Sequence, residues 1–266
     1  FQPLAIERAV SDCLIQRRYK KEDLVFNGEV WTSLNHHGRF NHSDPEVVLD
    51  SIHSNIRKGH SFLNSATHLV LTLGTSWVYK HRDRNAYVAN CHKIPQKEFE
   101  KTLLSPEEIL TSLERIVSQV REVNPSIAVL LTVSPVRHIK DGIVENTRSK
   151  ARLHEAVHQL VTRQEDTSYF PAYEIMMDDL RDYRFYKSDL IHPTETAVEY
   201  IWNKFARTWI KPSAFPLMKE VQSIHRALEH RPIQVESKEH QTFREKSEKQ
   251  IQELEEKHPE VKIYRR

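Results

Sequence analysis

The sequence predicts an α/β fold, a parallel sheet covered by helices on both faces, and three observations carry that. Two short, near-continuous apolar runs, residues 68–74 and 127–133, have the character of buried parallel strands. Amphipathic helical stretches separate and follow them, so strand and helix alternate along the chain. Each run ends in a turn signal, Gly74 or Ser134-Pro135, and in such sheets ligands sit beyond the carboxyl ends of the strands. The loops beginning at Gly74, at Ser134 and after Glu174 are therefore expected to share one rim.

Taken in order, residues 4–15 read as a helix with Pro3 in its first turn. A short strand over 29–34 leads to a polar, His-rich loop over 35–42. Asp44 is a good N-cap, Pro45 follows at the first helical position, and Val47, Val48, Ile52 and Ile56 keep helical spacing in a helix reaching about 64. After the strand over 68–74 comes a hairpin-like pair, 77–80 and 87–91. Ser105-Pro106-Glu107-Glu108 is a capping box whose helix extends to about 123, ended by Asn124-Pro125. The strand over 127–133, a helix over 145–163, a strand-like stretch over 168–174 and a helix over 194–209 complete the α/β part, assigned to residues 1–212. Beyond Pro212 the composition turns charge-rich. Residues 213–266 read as a helical extension, two helices broken near Pro232, either packed across the domain or extended as a solvated arm.

A hydrophobic content of 38% and a charged content of 29% suit one soluble α/β domain with an appendage. The net charge of +2, with both signs interleaved, gives no reason to expect nucleic acid as a partner. No apolar run is long enough to span a bilayer. Two cysteines, Cys13 and Cys91, make no disulfide framework and no Cys-based zinc site; they read as two buried free thiols, with one bridge between them as the other reading. No signal peptide is visible, which leaves the cytoplasm slightly ahead as compartment. The first residue is Phe1 rather than Met, and the expectation is that an N-terminal segment is missing.

The sharpest chemical element is Asp189-Leu190-Ile191-His192-Pro193, just before the last helix of the α/β part. Asp and His three residues apart at a helix start can set the carboxylate against one imidazole nitrogen. The other nitrogen is then free to take a proton from a hydroxyl. The same spacing also fits an N-cap aspartate beside a surface histidine.

Sixteen histidines invite a metal, and His36, His37 and His42 share one loop. No Cys or carboxylate stands at ligand spacing to them, so no metal and no cofactor is expected. His37, with Arg39, could instead line a site. Arg137 and His138 follow a buried strand, where a substrate-facing pair would stand; a cation there suits an anionic or polyhydroxylated substrate. Arg137 could equally pair with Asp141 or Asp182. Trp77 and Tyr79 could stack on a sugar or belong to the core, and residues 183–186 pack the Asp-His loop in place.

Several motifs in the same order carry a resemblance to a known family. They include Phe1-Gln2-Pro3-Leu4-Ala5-Ile6, His36-His37-Gly38-Arg39-Phe40, Leu71-Thr72-Leu73-Gly74-Thr75-Ser76-Trp77 and Asn90-Cys91-His92-Lys93. Thr132-Val133-Ser134-Pro135-Val136-Arg137-His138, Tyr169-Phe170-Pro171-Ala172-Tyr173-Glu174 and the Asp189–His192 motif continue the series. Over nearly its whole length the sequence resembles the GSCFA family, a branch of the SGNH hydrolases named for a Gly-Ser-Cys-Phe-Ala motif near its start. That resemblance implies a three-layer α/β/α, flavodoxin-like fold and a Ser-His-Asp hydrolase site. His192 would be the general base and Asp189 its orienting carboxylate.

Two departures follow. The Gly-Ser-Cys-Phe-Ala motif, which would hold the nucleophile, is not among these residues. Ser76 and Ser134 lie on the expected rim but in no G-x-S-x-G pattern. SGNH hydrolases typically place an oxyanion-binding Asn two residues after the Gly ending the central strand, and Ser76 stands there after Gly74. Asn90 and His92 are further oxyanion candidates, or they only tie down a turn. The resemblance implies a serine esterase or O-acyl hydrolase on an acylated, preferably acetylated, carbohydrate, or a related acyltransferase. A non-catalytic glycan- or protein-binding module of the same fold is the reading from a different class. Oligomeric state is left open.

Overall fold

The computed structural model describes residues 2–229, 238–259, 261 and 263. Pro232, where the sequence places the break between the last two helices, lies outside them. The chain divides into two compact units, Phe1–Ile201 and Trp202–Arg266. Along the first come α1 (Pro3–Leu14), β1 (Val25–Phe26), β2 (Trp31–Thr32), α2 (Pro45–Ser65), β3 (His68–Leu73), β4 (Trp77–His81), β5 (Ala86–Val88) and β6 (Phe99–Leu103). Then follow α3 (Pro106–Val123), β7 (Ala128–Val133), α4 (Ile143–Arg163), β8 (Thr167–Phe170), the single turn α5 (Ala172–Glu174) and α6 (Glu195–Trp209), which runs past the division.

The central sheet has the order β3-β7-β8 and is parallel throughout, with Leu71 beside Leu131 and Leu131 beside Tyr169. Parallel neighbours need crossovers, supplied by α3 and α4. The core on one face joins Leu71, Leu73, Leu131 and Val133 of the strands to Leu113 and Ile116 of α3 and Leu153 of α4. This is the α/β class with a helical C-terminal region, and it is consistent with a three-layer α/β/α arrangement. The apolar run over 68–74 predicts a strand buried on both faces, but β3 alternates: Leu69, Leu71 and Leu73 are buried while Val70 is 52% exposed. The physical reason is that Leu69, Leu71 and Leu73 share the face packed with α3 and α4, while Val70 points to the opposite face.

Local chemistry explains the helix starts. Asp44 caps α2 by accepting from the Glu46 N–H at 2.9 Å, with Pro45 beside it. Ser105 and Glu108 close the capping box of α3, at 3.2 and 2.7 Å. The expected strand over 168–174 is cut short because Pro171 ends it, and a helical turn and a π-helical stretch, Ile175–Asp179, follow. A second, antiparallel sheet has the order β5-β4-β6. Its β6 gives almost no apolar signal, since Glu100 and Lys101 sit inside it.

In the second unit α7 (Phe215–Glu229) and α8 (Lys238–Lys257) meet around Ile224, Ile251, Leu254 and Ile263. Among the described residues no helix is long and apolar enough to cross a membrane. Cys13 and Cys91 are free thiols.

Gly59 marks the closest approach of α2 to α1. A Cβ added there would stand 2.5 Å from the Cys13 sulfur. Gly59→Ala gains about 1 kcal/mol of helix propensity but forces the two helices apart, which costs about 1–3 kcal/mol in a packed core. Denaturant unfolding is expected to show a net loss. Adding Cys13→Ala should restore the stability, because the obstructing atom is gone.

Candidate active site

The backbone of residues 186–193 is folded tightly before any side chain is considered. The His192 carbonyl accepts from the Lys187 N–H at 2.8 Å, the Lys187 carbonyl accepts from the Leu190 N–H at 2.9 Å, and Tyr186 bridges to Pro193. Leu190 takes a positive φ of 56°, the left-handed region that a leucine rarely occupies. That turn points both N–H groups of Ile191 and His192 at one oxygen of Asp189, at 2.8 and 3.0 Å. The other oxygen faces His192 Nδ1 at 2.7 Å.

Those contacts fix the chemistry of the pair. The His192 N–H, then the His192 imidazole, then the Ile191 N–H hold the Asp189 carboxyl far below the usual carboxylate range, so it is ionised at every working pH. An ionised carboxylate on Nδ1 selects the tautomer with its proton there. Nε2 of His192 is left as an acceptor, on a side chain 57% exposed. Among the described residues no hydroxyl is hydrogen-bonded to Nε2.

The strand ends come to the same loop. The Arg137 N–H donates to the Ile191 carbonyl at 3.3 Å, and its guanidinium donates to the Leu190 carbonyl at 3.3 Å. That guanidinium lies over the Tyr186 ring at 4.1 Å and near Tyr183 at 5.5 Å. Together these residues form one wall of an open groove of about 210 Å³, whose floor includes Met176 and Leu180. Arg137 is thus occupied by carbonyls and rings, not by Asp141, which pairs with Lys101. His138 is exposed at its edge, yet burial of part of its ring, then the charge of Lys150 and more weakly of His192, lowers its pKa to about 4.

Lys150, which the sequence did not single out, joins the ends of β3 and β7. It is 1% exposed, and its Nζ donates to the carbonyls of Gly74 and Ser134, each at 2.6 Å. Burial pushes its pKa down to about 7. The neighbouring Ser149 takes Ser76: its Oγ accepts from the Ser76 N–H at 2.8 Å and its carbonyl accepts from the Ser76 hydroxyl at 3.0 Å. Ser76 is fully buried, so it would have to surrender these bonds before donating to an oxyanion. A lysine in an amphipathic helix reads as solvated, and only its register, facing the sheet with Leu153, could have drawn notice.

Asn90, His92 and His37 belong to a different corner. Nε2 of His92 reaches the Ser33 and His36 carbonyls at 2.7 and 3.1 Å, and the Asn90 side chain accepts from the His92 N–H at 3.0 Å. His37 is exposed and its Nδ1 accepts from the Arg39 N–H at 3.1 Å. Burial lowers the pKa of His92, and burial followed by the charge of His92 lowers that of His36 to about 4. The His92 ring ties one loop to another, and among the described residues no hydrogen bond of Asn90, His92 or His37 reaches the Asp189–His192 loop.

One group could hold a cation. His154, His158 and Glu174 bring ligand atoms within 4.8 Å of one another. The sequence carries a signal for it, His154-Glu155-Ala156-Val157-His158, an H-E-x-x-H pattern on α4, and only the third ligand, Glu174, is remote along the chain.

The GSCFA family matches over residues 1–205, and the GSCFA domain protein, C-terminal domain, matches over residues 221–264. No curated protein matches the chain, and no solved structure does.

Proposed function

We propose, from the premise that the chain belongs to the GSCFA family, that it is a serine-type esterase acting on acylated carbohydrate or a related ester. The observation that carries the reading is the Asp189–His192 pair at 2.7 Å, on a loop that Arg137 ties to the segment after β7, with a His192 side chain open to solvent. In this reading the attacking serine is supplied by a Gly-Ser-Cys-Phe-Ala motif, which these 266 residues do not contain. Its hydroxyl adds to the ester carbonyl while Nε2 of His192 takes the proton, and Asp189 stabilises the imidazolium that results. Collapse of the tetrahedral adduct expels the alcohol, which leaves with that proton. Water, activated by the same nitrogen, then releases the acid and restores the serine. Backbone N–H groups near Gly74 are the oxyanion donors in this scheme.

A second reading, a binding module of the same fold, draws on the engagement of both Ser76 donors by Ser149. Acetate release separates the two. The full-length gene product is expected to release acetate from 4-nitrophenyl acetate and from acetylated oligosaccharides. Saturable binding of the oligosaccharide by a folded protein that releases none would favour the binding module.

A further inference from the structure

We propose that His154, His158 and Glu174 form a binding site for a borderline divalent cation, zinc above all, separate from the Asp189–His192 pair. His154 and His158 lie one turn apart on α4, so their rings project from the same helix face. Glu174, at the end of α5, comes to meet them, with its Oε1 3.4 Å from His154 Nδ1. Ligands bound to one tetrahedral zinc at about 2.0–2.1 Å stand roughly 3.4 Å from each other, so two of the three are already at ligating separation. The third needs only a small side-chain turn, since all three ligand atoms fall within 4.8 Å.

The surroundings hold these groups in place. The Tyr169 hydroxyl donates to both oxygens of Glu174, at 2.7 and 3.0 Å, which is the outer-shell bond that orients a ligating carboxylate. Its ring packs edge-on against His158 at 4.8 Å, and the Tyr173 ring packs against His154 at 4.8 Å. His158 is exposed and leaves a path for the ion and for water.

Two nitrogens and one carboxylate oxygen suit zinc, cobalt or nickel better than magnesium or calcium. Two features weaken the site: the Lys150 charge lies near His154, and Nε2 of His154 is buried without a partner. An unsupported ligand of this kind lowers affinity by about 10–100-fold. The bound ion would clamp α4 to the connection after β8.

Zinc titrated calorimetrically into the chelator-treated full chain is expected to bind at one ion per chain and to raise its thermal midpoint. Cobalt should give the visible absorption of a tetrahedral centre. His158→Ala, at an exposed position, should weaken zinc at least tenfold and abolish the midpoint shift, and Glu174→Gln should do the same. The absence of saturable binding would overturn the proposal. So would unchanged affinity in a folded His158→Ala, which would place the ion on other histidines.

Discussion

Replacing His192 with alanine lowers ester turnover by the full-length protein about 10⁴- to 10⁶-fold, the loss seen when a triad base is removed. The magnitude follows from what the side chain does. Its Nε2 is the one acceptor the Asp189–His192 loop presents to an incoming hydroxyl, and without it the attacking serine keeps its proton. Asp189→Asn tests the other half of the pair. Asparagine preserves the shape but no longer holds the proton on Nδ1, and the expected loss is about 10⁴-fold in kcat with KM little changed. Asp189 also accepts from the Ile191 and His192 N–H groups, and the carbonyl oxygen of the substituted amide can keep both bonds. Circular dichroism should therefore show an intact fold. An Asp189→Asn protein as active as the parent would remove the orienting role.

The second large effect belongs to Lys150. Its Nζ satisfies the carbonyls of Gly74 and Ser134 in a site with almost no solvent access. Lys150→Met leaves both carbonyls without that donor, at about 1–3 kcal/mol for each group left unpaired, while sparing the volume of the stem. Turnover should fall too, since Ser134 begins the segment whose Arg137 holds the Leu190 and Ile191 carbonyls of the His192 loop. The pH dependence distinguishes this from simple loss of packing. The folded pKa is about 7, below the value of about 10.4 for an unfolded lysine. Between those values the unfolded chain holds a proton that the folded chain does not, so stability rises with pH. The burial cost is fully present below pH 7 and gone above about pH 10.4. The gain is roughly 1.4 kcal/mol for each pH unit, or about 5 kcal/mol across the window. Denaturant unfolding of the parent against Lys150→Met should show the difference widening in favour of the parent from pH 7 to 10, and a constant difference would contradict the buried cation.

What was legible in the sequence was what depends on neighbours along the chain. Capping residues Asp44, Ser105 and Glu108 act within four residues, and the apolar runs at 68–74 and 127–133 state their own burial. The Asp189–His192 pair was legible for the same reason, because a three-residue spacing and one turn suffice to join them. What depends on distant partners was not. Lys150 meets Gly74 across the sheet, Ser149 takes Ser76, and Glu174 meets two helix α4 histidines, all pairings that no local pattern encodes. The polar strand β6 was missed because its pairing with β4, not its composition, makes it a strand. Val70 shows the limit in the other direction: an apolar run reports the capacity for burial, while the helices packed against one face of β3 decide which side chains are covered.

The most direct test of the central claim is labelling of the full-length protein by a serine-directed fluorophosphonate, with the modified residue located by mass spectrometry, beside His192→Ala. The account predicts one labelled serine in the Gly-Ser-Cys-Phe-Ala motif of the parent and no label in the variant. A folded parent that takes no label, or one labelled equally without His192, would contradict it.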